Sequence, residues 1–423
     1  MKIIALIILL ILHLLILTHL QFTAWPEMFS YPYLLNQGFA LYRDIALPYQ
    51  PLLVLLLSGI YKLFGYNLLS LQVFTWGLIL SSDVLIFLIS KKLIGQKGLS
   101  LLPLAFFVLI QPLVSGNMLW FDLATIPFIL LAILFSINKK FFFFGFSLAL
   151  AFFIKQQTGL AILFLVAYFL VGKKFVELGK FILGFLTLGS VILIFVILGG
   201  IFTDYLFWTI VVPLYWYPKF PGYANWPSPL QFLTTCLIFL PGTILALKNI
   251  RKSKDFATLF LTFSGLFLIA FPRFDYFRFQ PALAAYIILV AAFFKKENVK
   301  YFCWPILIAI LILIRGNLKN YNLPTRFYGP TELSLADQIK ANPQTSPKFY
   351  LLGVPSIEYV LTNHLPPKPW VDNYVWYMEI PGVQDKIISG FEKEKIKYIF
   401  WKKPQNGQWF ELGVYQPQKV TEY

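Results

Sequence analysis

Two carboxylates stand in the first polar stretch of the chain, residues 21–51, QFTAWPEMFSYPYLLNQGFALYRDIALPYQP. Glu27 follows Trp25 and Pro26, and Asp44 sits in Tyr42-Arg43-Asp44. An apolar run precedes them directly, and an acid beside a bilayer is costly unless it is solvated, paired or used. A carboxylate at the membrane surface is placed to take a proton from a hydroxyl as general base; a solvated loop acid is the plainer alternative for Glu27. Asp44 could hold a substrate, bind a divalent metal with Glu27, or cap the next segment through a turn. Arg43 could pair with a phosphate or with Asp44 itself.

Further acids lie inside apolar runs. Asp122, after Asn117-Met-Leu-Trp-Phe, heads a hydrophobic segment, where it serves either the site or the helix N-terminus. Asp83 lies mid-segment beside Ser81 and Ser82 and must face protein or water; it is the residue a transporter would use, or a buried hydrogen-bonded acid. The cations Lys155, Arg273 and Arg278 fall at segment ends expected on the outer face, where a lipid phosphate would sit. Arg273 and Arg278 flank Asp275 in PRFDYFRFQP, against the usual scarcity of outward arginines. His13 and His19 fall on different faces of one helix, which argues for packing and against a shared metal.

The elements that position these groups follow from composition. With 58% hydrophobic and 13% charged residues over 423, the chain is an integral membrane protein. Its net charge of +16 sits in short Lys/Arg clusters between apolar runs, a topology signal that excludes a nucleic-acid role. Cys236 and Cys303 occupy separate apolar runs, so neither a disulfide framework nor a metal-ligand spacing is present. Apolar segments are expected at 3–20, 68–90, 99–115, 118–137, 141–154, 158–172, 181–200, 230–247, 256–271, 281–294 and 301–314, with an interfacial helix at 50–65. Every second junction is basic, which predicts roughly eleven spans, a cytoplasmic N-terminus and an outward C-terminus. The aromatic stretch 202–229 is expected as an outer loop at headgroup level.

From 316 onward charges of both signs and turn formers appear. TELSLADQIK, SIEYVLT and VQDKIISGFEKEK read as helices, KFYLLGV and IKYIFW as strands, an alternation that predicts a small α/β extracytoplasmic domain with a parallel sheet over 316–423, following a membrane domain over 1–315. No Gly-rich phosphate fingerprint occurs there.

A first-span exit followed by an acid, then Tyr31, Gly38, Tyr42-Arg43-Asp44 and Pro51, resembles the first loop of the GT-C superfamily of polytopic glycosyltransferases, in the branch of protein O-mannosyltransferases and aminoarabinose transferases. Asp122, Lys155-Gln156-Gln157-Thr158-Gly159, Pro272-Arg273 and the C-terminal outside domain extend the resemblance over most of the chain. Pro26-Glu27 stands where many relatives carry Asp or an Asp-Glu pair, and Phe279-Gln280-Pro281 where a His is common. The resemblance implies a plasma-membrane enzyme that moves a sugar, with inversion, from a polyprenyl-phosphate donor to a protein, lipid or glycan hydroxyl on the outer face. It places Glu27 as base, Asp44 and Asp122 as acceptor or structural acids, and Lys155, Arg273, Arg278 and Arg43 against the donor phosphate. No cofactor is required, since a phosphate leaving group needs charge stabilisation more than a general acid; a divalent metal is compatible. Two other classes stand beside it: a secondary transporter using Asp83, and a non-catalytic envelope assembly protein.

Overall fold

The computed structural model describes residues 2–94, 98–220, 223–249, 254–271, 273–293, 299–342, 347–372, 375–402 and 417–423. Pro272 therefore lies outside the described residues. The protein is mostly helical and divides into two compact units.

The first unit comprises residues 1–22, 72–192 and 225–324. A helix forms over every apolar segment the sequence predicts, from Lys2–His19 to Val299–Asn317. Among the described residues, Leu68–Ile94, Phe175–Leu198, Pro229–Lys248 and Tyr301–Asn320 are long and apolar enough to cross a membrane. The remaining apolar helices are shorter, and one of them shows why length alone misleads. Gln280–Ala291 is buried at all twelve positions, so it is the packed axis of the unit and needs no lipid contact. Its neighbours include Leu102–Ile110, Phe121–Ile137, Lys254–Leu268 and Pro229–Asn249.

Without a hydrophobic driving force between helices in lipid, close association relies on small residues at the contact. A β-carbon at Gly145 would fall 1.9 Å from the Phe181 carbonyl oxygen, and one at Gly184 1.9 Å from that of Phe142. Glycine at these two positions lets Phe141–Ile154 and Phe175–Leu198 meet backbone to backbone, and Phe144, Phe169 and Phe181 fill the space beside them. The outer face of Phe175–Leu198 exposes Leu183, Leu186, Ile194 and Ile197, as a lipid-facing helix does.

The second unit comprises residues 23–71, 193–224 and 325–423. Here two stretches expected to be loops are helical. Glu27–Asn36 forms a helix whose first eight residues are buried, although it contains Pro32; Pro26, at φ −53°, starts it in helical geometry. Aromatic residues on every side leave no polar stripe and hence no 3.6-residue period to read. The segment after 200 forms Phe202–Leu206, which continues as a π-helix over Phe207–Trp216. Leu52–Phe64 is a helix at the place expected for the interfacial one.

In the C-terminal stretch Pro330–Ala341, Ile357–Thr362 and Val383–Glu394 are helices. Tyr350–Leu352 pairs in parallel with Ile399–Trp401, with Tyr350 opposite Ile399. The Glu332 side chain accepts from the Gly329 backbone N–H at 2.8 Å, closing the first turn of Pro330–Ala341.

Candidate functional site

In the first unit the helices Phe121–Ile137 and Phe141–Ile154 are joined by a three-residue turn and pack as a hairpin, so the start of one adjoins the end of the other. Asp122 occupies the first turn of the former and Lys155 caps the C-terminus of the latter in extended backbone. Their side chains, 1% and 3% exposed, form an ion pair between Lys155 Nζ and Asp122 Oδ1. Asp122 Oδ2 is buried and has no hydrogen-bond partner among the described residues. Burial pushes the Lys155 ammonium down to about 8; the Asp122 charge pulls it upward, and Arg278 adds a further downward push. Arg278 stands in the 3-10 turn Tyr276–Phe279 that packs against the Phe121–Ile137 helix. Buried Asp122 and Lys155 and half-buried Arg278, separated along the chain, thus form one electrostatic cluster. Arg273 joins its backbone to Asn225 in an isolated bridge and is partly exposed.

Beside this segment runs an apolar groove of about 360 Å³ between the helices Pro229–Asn249 and Lys254–Leu268. Cys236, Phe239, Phe263, Phe267 and Phe271 line it, and it ends at Phe274, the residue after Arg273.

Asp83 and His13 are fully buried and bonded to each other, Asp83 Oδ2 to His13 Nδ1, at 2.8 Å. His13 Nε2 lies 3.1 Å from Gln111 Oε1. Gln111 Nε2 donates to the Gly116 carbonyl at 3.0 Å and to Gln280 Oε1 at 3.3 Å. Its oxygen is therefore left to accept from His13 Nε2. Gln280 Nε2 donates in turn to the Ser115 carbonyl at 3.0 Å. This chain fastens four helices, and it gives both His13 and Asp83 structural work. Asn117 adds to it by donating to the Leu17 and Leu20 carbonyls at 2.8 Å each.

In the second unit Glu27 begins its helix and is 5% exposed. One turn on, Ser30 and Tyr31 face residues from far along the chain: Ser30 Oγ lies 3.1 Å from Ser356 Oγ, and the Tyr31 ring meets Trp370 edge-on at 5.7 Å. Ser356 Oγ donates to Asp372 Oδ2 at 3.4 Å. Burial first, then the Asp372 charge, then the Glu27 charge hold the Tyr31 phenol well above its ordinary value, so two buried acids bear on one hydroxyl.

No family model matches the chain, and no curated protein matches it. Solved structures do. ArnT, an aminoarabinose transferase from Cupriavidus metallidurans, superposes in its apo state with a TM-score of 0.52 at 12% identity, over 95% of this chain and 89% of that one. The same protein bound to undecaprenyl phosphate gives 0.50 at 12% identity, over 94% and 89%. The Archaeoglobus fulgidus oligosaccharyltransferase, in complex with zinc and sulfate, gives 0.50 at 11% identity, over 93% and 67%.

The chain has the GT-C fold.

On this GT-C scaffold Asp44 is already engaged. Its Oδ2 accepts from the Ala40 backbone N–H at 2.9 Å and meets Lys368 at 3.1 Å, and its Oδ1 faces Arg43 Nε at 3.5 Å. The Asp44 carbonyl also accepts from the Trp370 N–H at 2.8 Å. Two cations already sit at this carboxylate, which disfavours the metal shared with Glu27 that the sequence left open, and Asp44 acts as a clamp on the 368–370 segment. Among the described residues no group of three His, Cys, Asp or Glu side chains is gathered for a metal. Reading the sequence did not find Asp372. Its signal, an acid two residues after Trp370 in the Pro-rich KPWVDN, was indistinguishable from an ordinary loop acid.

Proposed function

We propose that the protein is a membrane glycosyltransferase that moves a sugar from a polyprenyl-phosphate carrier to an acceptor hydroxyl on the outer face of the membrane. The observation that carries the reading is the Asp122–Lys155–Arg278 cluster, its ion pair buried, in the same unit as an aromatic groove. Cations held in a dry setting suit a phosphate, and the groove suits an isoprenoid chain. The ArnT structure with undecaprenyl phosphate supports this donor class.

In the proposed reaction the acceptor oxygen attacks the anomeric carbon from the side opposite the phosphate. The bond from that carbon to the phosphate oxygen breaks, its electron pair leaves with the polyprenyl phosphate, and configuration inverts. Glu27 takes the hydroxyl proton. Lys155 and Arg278, with Arg273 nearer the groove, offset the charge that develops on the leaving phosphate. Asp122 keeps the Lys155 ammonium charged and oriented. We assign Arg43, which lines a separate cavity, to a different anion.

The test is transfer from radiolabelled polyprenyl-phosphate sugar by purified protein. Glu27→Gln is expected to lower turnover by about 100-fold or more while donor binding persists. Wild-type turnover in that variant would remove Glu27 from the role.

A further inference from the structure

The second unit holds a cavity of about 290 Å³ that the donor chemistry does not use. Tyr42, Trp208 and Trp370 form its aromatic wall, and Arg43, Lys386 and Asp204 its charged rim. Arg43 is 55% exposed and meets Asp44 only through Nε, so the two terminal nitrogens of its guanidinium have no protein partner among the described residues. Neither the Lys386 nor the Asp204 side chain has a described partner, although opposite charges are available around one cavity. Tyr42 holds a left-handed backbone at φ +68°, unusual for a bulky residue, and its hydroxyl donates to the Tyr49 carbonyl at 3.1 Å. That fixes the Tyr42 ring in the wall and turns the next residue, Arg43, outward. Behind the wall, Trp370 contacts Tyr31, on which Glu27 acts.

We infer that this cavity binds an acidic sugar residue of the acceptor, one carrying a phosphate or carboxylate, beside the part whose hydroxyl reacts. The inference rests on the transferase reading for the word acceptor. The exposed Lys386 ammonium and the outward end of the Arg43 guanidinium match an anionic substituent, and the planar Arg43 fork can take two oxygens at once. Asp204 can accept from sugar hydroxyls, and the indole and phenol faces suit the apolar faces of a pyranose ring. The volume is at the lower end of ligand sites, about 300 Å³, which limits the bound portion to about one sugar residue with its substituent.

The experiment measures binding without a donor, on the full-length protein in phosphatidylcholine nanodiscs, by calorimetric titration with glucose 6-phosphate, glucose and inorganic phosphate. Glucose 6-phosphate is expected to bind at least tenfold tighter than either fragment. Lys386→Glu is expected to weaken it at least tenfold and Lys386→Arg to restore it. Lys386 is exposed and without a side-chain partner among the described residues, so this pair does not depend on the fold surviving; Arg43→Gln should weaken binding similarly. Adding a phosphoinositide to the discs separates sources of the same chemistry: displacement of glucose 6-phosphate assigns a lipid-borne acidic sugar, and no displacement a soluble one, both in support. Equal affinity for glucose and glucose 6-phosphate, no measurable binding of either, or an unchanged affinity in Lys386→Glu would overturn the inference. Glu27→Gln should bind as wild type does, so loss of transfer with binding kept separates the two proposals.

Discussion

Replacing Asp122 by Asn tests the cluster most directly. The side chains of Asp122 and Lys155 are nearly inaccessible, so removing one charge leaves the other buried without its partner. Such a loss costs about 3–5 kcal/mol, whereas removing both charges together costs little or nothing. Asp122→Asn keeps the volume and the fold of the first turn but withdraws the charge that opposes burial of the lysine. Lys155→Met has the converse effect, stranding a carboxylate whose Oδ2 already has no hydrogen-bond partner among the described residues. Each single variant is expected to lower the thermal midpoint of the detergent-solubilised protein, followed by tryptophan fluorescence, on the order of 5 °C. The double variant should return to within about 1 kcal/mol of wild type, a coupling energy nearly as large as the two single losses together. Stability and function should then part: the double variant folds but no longer holds the donor phosphate. Additive losses in the double variant, or singles as stable as wild type, would refute the buried pair as the organising contact.

Three other outcomes follow from the same structure. Lys155 is pushed down to about 8, so its charge is present below that pH and is lost above it; donor affinity should fall as pH rises through about 8, and Lys155→Arg should move that limb to higher pH if the variant folds. Glu358 is fully buried with neither carboxylate oxygen hydrogen-bonded among the described residues, and burial, then the Glu332 charge, push it up to about 8 from an ordinary value of 4.5. The folded state therefore holds a proton that the unfolded chain releases, so stability is greatest below about 4.5 and declines as pH rises towards about 8. Glu358→Gln should flatten that decline in a melting series, and parallel curves for the two proteins would contradict it. Filling the groove with Cys236→Trp should raise the KM for a long-chain polyprenyl donor about tenfold or more and leave a short-chain donor unaffected, as measured by steady-state transfer.

Some of this was readable before any fold was known. Each long apolar run became a helix because apolar content over that length leaves a backbone in lipid no other way to satisfy its hydrogen bonds. The paired strands Tyr350–Leu352 and Ile399–Trp401 were readable from short apolar runs between helical stretches. Glu27–Asn36 was not, because Pro32 argued against a helix and burial on all sides erased the amphipathic period. The burial of Gln280–Ala291 could not be read either: it is as apolar as a lipid-facing helix, yet protein covers it at every position.

Composition and local pattern by themselves determined a helical membrane protein, the positions of its long apolar helices, and a short set of acids and cations worth suspecting. Tertiary structure alone decided which of them work together. Lys155 met Asp122 across 33 residues, His13 met Asp83 across 70, and Tyr31 was set under the influence of Asp372 from near the other end of the chain. Periodicity and propensity act over a turn or two of backbone, whereas the partner of a buried charge is chosen by helix packing, and burial is what makes that choice energetically decisive.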